Sequence, residues 1–246
     1  MTKPHIAVVG AGIVGICSAY FLNKSGFKVT LFDKNEPGSM TSYGHACTFA
    51  DYACVPVNSP DLFKEIPSML LKSDGPLAVD FFYALKNFRW TYNFFKNCTN
   101  NKVNYISNAL GGLLNNASTS YDEIFSDVDV AQYIKNEEAL YLYENKNEFL
   151  KTKTTNFIRE KNGVKIEILS KNDILELEPN IAPIFYNGQL FKGSRHTTNP
   201  LAVSRKIFES FINSGGKFIR NKVENIFPNE SMVTLKLNNE NLHFDK

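Results

Sequence analysis

Three glycines at fixed offsets in Gly10-Ala11-Gly12-Ile13-Val14-Gly15, and a carboxylate at Asp33, 18 residues beyond the last glycine, are the part of this chain whose spacing carries chemistry. That chemistry is the seating of a diphosphate. Gly10 allows a tight strand-to-helix turn, Gly12 leaves room for a pyrophosphate that a Cβ would strike, and Gly15 lets helix and strand pack closely. Val9, Ala11, Ile13 and Val14 complete the turn, and the phosphates face its backbone N–H groups and the positive end of the helix. Asp33 ends a second strand, where a carboxylate accepts hydrogen bonds from ribose hydroxyls.

The flanking pattern supplies the elements that such a turn requires. His5–Val9 is a short apolar run ending in glycine and reads as a buried parallel strand. Ile13–Lys24 has apolar residues at helical spacing and stops at Ser25-Gly26, a helix C-terminal signal. Lys28–Asp33 is the second strand, which closes a βαβ unit. The uncharged run from Ile6 to Leu22 also resembles the core of a signal peptide, but the three glycines and the second strand argue against that reading.

Beyond Asp33 the pattern changes. Residues 35–58 are turn-rich. From Pro60 to Ser126 most of the chain reads as helical, with breaks expected at Gly75-Pro76, at 98–101 and at Gly111-Gly112. Strands are expected at Ala139–Glu144 and Val164–Leu169, with a helix between them. Asn199-Pro200 opens a helix that closes at Gly215-Gly216. Strands then follow at Lys217–Arg220, Lys222–Phe227, Met232–Leu237 and Leu242–Phe244.

The glycine motif by itself does not separate NAD from FAD. A nicotinamide-binding domain continues directly with another βα unit. Here the strands resume almost 190 residues after the second one begins, which is the order of the large FAD-binding oxidoreductases. The 246 residues suit one domain or two. A net charge of +2, with 22 Lys and 5 Arg, gives no electrostatic case for nucleic acid. Cys17, Cys47, Cys54 and Cys98 form no metal-ligand or disulfide spacing, so no metal is expected and a reduced, cytoplasmic setting fits.

The segments Ile6–Gly15, Phe32-Asp33-Lys34 and Pro37–Ser42 resemble the FAD-dependent D-amino-acid dehydrogenases of the amino-acid oxidase and glycine oxidase superfamily. The likeness continues through Tyr52–Pro60, Asp74–Leu77, Arg89-Trp90, Leu175–Pro179 and Asn199–Ala202. It implies an α/β fold: a Rossmann-type FAD-binding domain with a helical insertion and part of a mixed-sheet substrate domain. The expected boundaries are 1–46 and 199–246 for the FAD-binding domain and 47–198 for the insertion and substrate part. It implies that Gly10, Gly12 and Gly15 cradle the FAD pyrophosphate, and that Asp33 holds the adenosine ribose. Lys34 stands where relatives often carry Arg beside the adenine. Thr41 and Ser42 would offer hydroxyls near the phosphates and ribityl chain, and Val223 would pair its backbone with the adenine edge.

The loop Tyr43-Gly44-His45-Ala46-Cys47 departs from the family, whose members usually carry Asn near His45 and often Gly near Cys47. It should pass beside the flavin. Some dimethylglycine-type relatives attach FAD covalently through a His in this loop. The resemblance therefore leaves two expectations for His45, a covalent bond to the flavin and a neutral ring hydrogen-bonded near it. Arg195 is a candidate for a substrate carboxylate, and His196 reads as a loop histidine.

The resemblance further implies a small amino-acid substrate, a D-amino acid or else glycine, sarcosine or hydroxyproline. Its Cα hydrogen would pass as hydride to flavin N5, giving a 2-oxo acid and ammonia by hydrolysis of an imine, with no side-chain base required. The electron acceptor would be a quinone or another carrier. Eight of the 32 aromatic residues fall between Phe81 and Phe95, which suits peripheral contact with the inner membrane or, as the blander reading, a packed helical insertion. In the family a further FAD strand and much of the substrate domain follow the point where this sequence stops. The chain therefore reads as the N-terminal portion of the enzyme, with a non-catalytic FAD-binding fragment as the alternative.

Overall fold

A computed structural model describes residues 3–58, 60, 62, 81–238 and 240–246. In chain order the elements are β1 (His5–Val9), α1 (Ile13–Lys24), β2 (Lys28–Asp33), β3 (Thr48–Phe49), α2 (Phe81–Lys86), α3 (Phe88–Lys96), α4 (Asn100–Leu114), α5 (Ala117–Asp127), β4 (Ile134–Lys135), β5 (Ala139–Tyr143), α6 (Lys146–Lys161), β6 (Ile166–Leu169), α7 (Lys171–Leu177), β7 (Asn187–Phe191), β8 (Arg195–Thr197), α8 (Pro200–Asn213), β9 (Lys217–Arg220), β10 (Asn225–Pro228), β11 (Val233–Lys236) and β12 (Asn241–Phe244). They form two compact units.

The first unit joins Met1–Phe49, Ser120–Asn136 and Arg195–Lys246. Its centre is a parallel sheet in the order β1-β2-β9, with Val9 opposite Phe32 and Asp33 opposite Arg220. Strand β2 is covered on both faces, which is why it reads as a near-continuous apolar run. Val29 and Leu31 turn to a helical layer and pack with Ile16 and Ala19 of α1, Ile124 of α5, and Val203, Ile207 and Phe211 of α8. Phe32 turns the other way, onto Leu235, Leu237 and Phe244 of the β10-β11-β12 meander. Burying one such side chain contributes about 1.5–3 kcal/mol. A second small sheet, β3-β8-β4, is antiparallel.

Local chemistry sets the helix ends. Helix α1 ends at Gly26, whose φ of 82° is the left-handed conformation that a C-terminal stop requires. Asn199 caps α8 by accepting the Ala202 N–H at 2.9 Å, with Pro200 in the first turn. The uncharged run from Ile6 to Leu22 is β1, a turn and α1.

The second unit joins Ala50–Thr119 and Glu137–Ser194. Strand β7 is the centre of an antiparallel sheet, β5-β7-β6. Leu140, Leu142, Leu169, Ile174, Phe185 and Leu190 pack together in one cluster. Tyr52 and Phe191 stack at 4.1 Å. Ser170 and Asp173 form a capping box at α7.

Four readings of the sequence are corrected. The break expected at Gly111-Gly112 is helix interior, because a Cβ at Gly111 would stand 2.4 Å from Asn162 Oδ1, so the glycine serves close packing. The strand expected from Lys222 starts at Asn225, because the N–H groups of Asn221 and Lys222 are taken up in a tight turn, by Ile219 O and Asn221 Oδ1. His196 lies in strand β8 between β3 and β4, not in a loop. The aromatic run divides into α2 and α3, and α3 buries none of its residues. The break expected at Gly75-Pro76 lies outside the described residues. Among the described residues no helix is long and apolar enough to cross a membrane.

Candidate functional site

The first unit brings most of the glycine-turn residues named in the sequence to one place, the start of α1. Gly10 has φ of 105°, and its N–H donates to Phe32 O at 2.7 Å, which closes the turn over β2. A Cβ at Gly15 would lie 1.8 Å from Gly10 O, so this glycine is required by the fold itself. A Cβ at Gly12 would meet only Ser42 Oγ, at 3.2 Å, and one at Gly10 would meet no protein atom within 4 Å. The space over the turn is therefore open, while the space beneath it is closed.

First-turn N–H groups have no partners within a helix. At α1 no acidic residue stands in the first turn, and Gly12 has no side chain with which to cap it. The Ile13 N–H is taken by Ser42 Oγ at 2.8 Å. The helix thus presents partial positive charge to whatever occupies the open side. Val9 at 46% and Val14 at 78% exposure flank that space with apolar surface.

Asp33 joins the turn from the end of β2. Its Oδ2 accepts the Ala11 N–H at 2.7 Å, and its Oδ1 accepts the Asn35 N–H at 2.8 Å. Each carboxylate oxygen keeps a lone pair for a further donor. Gly38 N–H donates to Ala11 O at 2.8 Å, so the Pro37-Gly38 turn is also fastened to the glycine turn, a role that its spacing alone did not reveal. Thr41 lies in the same 3-10 turn as Ser42 and is exposed.

Lys34 and Val223 are placed differently. Lys34 is exposed and offers its carbonyl to Arg220 Nε at 3.5 Å, while Arg220 forms an ion pair with Glu36. Arg220 was not singled out in the sequence; its signal was its place at the end of the strand beside Asp33. Val223 lies outside the strands, and its side chain packs on the Phe32–Leu235–Phe244 cluster.

His45 lines a cavity of about 420 Å³ together with Ile13, Cys17, Phe49, Phe125 and Val203. Burial pushes the Cys17 thiol up to about 11, which leaves it an apolar wall group rather than a nucleophile. Arg195 is not a free cation: its guanidinium pairs with Asp122 at 2.6 Å and lies over the Phe125 ring.

A comparison with protein families matches residues 5–241 to the family described as FAD dependent oxidoreductase. The D-amino-acid oxidase of Bradyrhizobium diazoefficiens is 27% identical over 221 residues, which is 89% of this chain and 52% of that protein. Glycine oxidase from Geobacillus kaustophilus superposes with a TM-score of 0.62 at 16% identity, over 98% of this chain and 53% of that one. The FAD-bound L-alpha-glycerophosphate oxidase of Mycoplasma pneumoniae gives 0.61 at 19% identity, over 98% and 51%. The chain spans about half the length of these relatives.

Proposed function

The chain belongs to the FAD-dependent oxidoreductase family, and from that premise we propose that it acts in the oxidative deamination of a D-amino acid or a similar small amino acid to a 2-oxo acid and ammonia. The observation that carries the proposal is the open start of α1, with no side chain at its N-cap Gly12 and with Asp33 and Ser42 fastened to its turn. FAD, when bound, supplies the electron-pair acceptor for the Cα–H bond of the substrate. The N–H groups at Gly12, Val14 and Gly15 hold the diphosphate, with Val9, Gly10, Ala11 and Ile13 shaping the turn around it. Asp33 accepts from the ribose, Ser42 and Thr41 flank the phosphates, and Lys34 and Val223 border the adenine. On this reading the first unit is the FAD-binding domain and the second is part of the substrate domain.

The name of the D-amino-acid oxidase, matched over 89% of this chain, supports the substrate class. Glycine, sarcosine and hydroxyproline are the competing substrates, and the name of one fold neighbour, a glycine oxidase, supports the first of them. Contact with a membrane surface, with a quinone as acceptor, is part of the same proposal. It is supported by Phe82, Tyr83, Phe88, Trp90 and Tyr92, exposed beside Lys86, Arg89 and Lys96, with no acidic residue from Phe81 to Tyr121.

The test is a titration of the purified chain with FAD, followed by flavin fluorescence, and then anaerobic addition of D-alanine, sarcosine or hydroxyproline. Quenching and bleaching by D-alanine are expected. An unquenched flavin would overturn the cofactor site. A quenched flavin bleached by sarcosine alone would replace the substrate.

A further inference from the structure

The β5-β7-β6 sheet of the second unit has two unlike faces. Leu140, Leu142, Leu169 and Leu190 turn to one of them and join Ile174 of α7 in an apolar cluster. Gln189 turns to the other, toward α6, and is fully buried. There Arg159 of α6 lies over the Phe191 ring, 5.1 Å from its centroid, and donates through Nη1 to Asn156 Oδ1 at 3.0 Å. A guanidinium only donates, so this bond settles the orientation of both amides behind it. Asn156 turns its Nδ2 away from Arg159 and donates to Gln189 Oε1 at 2.7 Å. Gln189 Nε2 is thereby left as the free end of the chain.

Arg159 Nε and Gln189 Nε2 are both buried, and neither finds an acceptor among the described residues. Each is a donor that has given up water, and one belongs to a permanent cation. Among the described residues no carboxylate pairs with Arg159. Two titratable groups in its field do not supply the missing charge. Burial raises the pKa of Tyr143 and of Cys54 against the pull of Arg159, so the phenol and the thiol stay neutral.

Nη1 is taken by Asn156, which leaves the Nε and Nη2 edge. Those two parallel N–H groups match the two oxygens of a carboxylate. The layer has a weak closure beside them. Tyr141 stands opposite Gln189 in register and is 44% exposed, and its hydroxyl meets that of Tyr52 at 3.3 Å, long for such a contact. Tyr52, stacked on Phe191, also borders a cavity of about 470 Å³ with Asn115 and Lys165 in its wall. A lysine there favours the approach of an anion.

We propose that Arg159 and Gln189 form a binding site for the carboxylate of a small organic acid, the class to which an α-amino acid and a 2-oxo acid belong. The acid enters by parting the Tyr52–Tyr141 contact. Arg159 takes its two oxygens through Nε and Nη2, and Gln189 Nε2 adds a neutral donor. The site lies wholly in the second unit and does not rest on the diphosphate seat of the first.

The experiment uses the full chain with 15N-labelled arginine, and the Arg159 Nε–H is assigned by the resonance lost in Arg159→Lys. Sodium acetate, pyruvate and D-alanine are added separately, with sodium chloride at equal ionic strength as the control. The organic acids should shift the Arg159 Nε–H saturably and raise the thermal midpoint, because they bind the folded state. Chloride should do neither. Arg159→Lys keeps the charge but loses the paired edge, and should bind acetate roughly tenfold more weakly. Gln189→Glu places a carboxylate beside the guanidinium. It should raise the midpoint without ligand and abolish the acetate response, which keeps the test decisive if Arg159→Lys does not fold. Tightest binding of D-alanine upholds the site and names its ligand as the amino acid, and tightest binding of pyruvate upholds it for the 2-oxo acid. An Arg159 resonance unmoved by all three acids, or moved equally by chloride, overturns the inference. A Gln189→Glu protein less stable than wild type, or one that still responds to acetate, also overturns it. None of these results bears on the FAD site.

Discussion

The backbone N–H of Ala11 and the carboxylate of Asp33 meet at 2.7 Å, so the acid that ends β2 also holds the glycine turn in shape. With Oδ1 on the Asn35 N–H, one side chain fixes two backbone segments and still has lone pairs to spare. Asp33→Ala should therefore weaken FAD by roughly 10–100-fold, since charge-assisted hydrogen bonds contribute about 1.5–3 kcal/mol each. It should also lower the thermal midpoint. Asp33→Asn keeps one acceptor oxygen and should fall between Ala and wild type. Flavin-quenching titrations and thermal melts of the three proteins give the comparison.

Gly12 and Gly15 should separate binding from folding. A Cβ at Gly15 collides with Gly10 O, a backbone atom that cannot move without opening the turn, so Gly15→Ala should cost several kcal/mol and yield little folded protein. The Cβ of Gly12→Ala needs only a small shift of Ser42 Oγ. That variant should melt within a few degrees of wild type and yet fail to retain FAD. Far-UV circular dichroism and flavin content measured on one preparation would distinguish the two effects.

Cys47, with φ of 66°, carries a conformational cost that glycine does not. Cys47→Gly should stabilise the fold by about 0.5–1 kcal/mol, the strain relieved less the added freedom of the unfolded chain. A denaturant midpoint below that of wild type would show that the thiol contributes more than the left-handed φ costs.

Exposed rings beside Lys86, Arg89 and Lys96 in α2 and α3 predict adsorption to anionic lipid. Vesicles rich in acidic phospholipid should sediment the chain, and neutral vesicles should not. Trp90→Ala combined with Tyr92→Ala should reduce the bound fraction several-fold, because both rings are more than 60% exposed and contribute little to folding. Raising the salt should release part of what remains.

His5 predicts a pH effect on stability. Its ring nitrogen meets Thr30 Oγ1 at 2.9 Å, its ring packs edge-on against Phe244, and burial, followed by Lys28, lowers its pKa. The folded state therefore binds this proton less readily than the unfolded chain, whose His titrates near about 6.5. Stability from this residue is full above that pH and declines as pH falls below it. Denaturant midpoints at pH 7.5 and pH 5.5 should differ more in wild type than in His5→Gln.

The parts of this fold legible in the sequence were those where one residue type has one physical use. Gly10 and Gly26 each mark a turn that other residues resist, Gly15 marks an approach too close for a Cβ, and β1, α1 and β2 lie where the pattern set them. Asn199-Pro200 marked the start of α8 for the same reason. Strand β7 was missed because Asn187 and Gln189 are polar yet buried within the sheet, against the usual alternation. Strands β3, β4 and β8 are two or three residues long, too short for any period. At the site, the glycines and Asp33 could be read from spacing. The Ser42–Ile13 and Gly38–Ala11 bonds could not, because they depend on how a loop of no fixed period folds back.

Strand β2 pairs with β9, so Leu31 finds its neighbour Phe218 only after almost 190 further residues have been made. At a synthesis rate of about 5–20 residues per second, the nascent βαβ hairpin waits roughly ten to forty seconds on the ribosome with one edge open. Holdase chaperones, or a pause in translation, would have to shelter that edge, and cells depleted of such helpers should accumulate this protein as inclusion bodies before any loss of cofactor is felt.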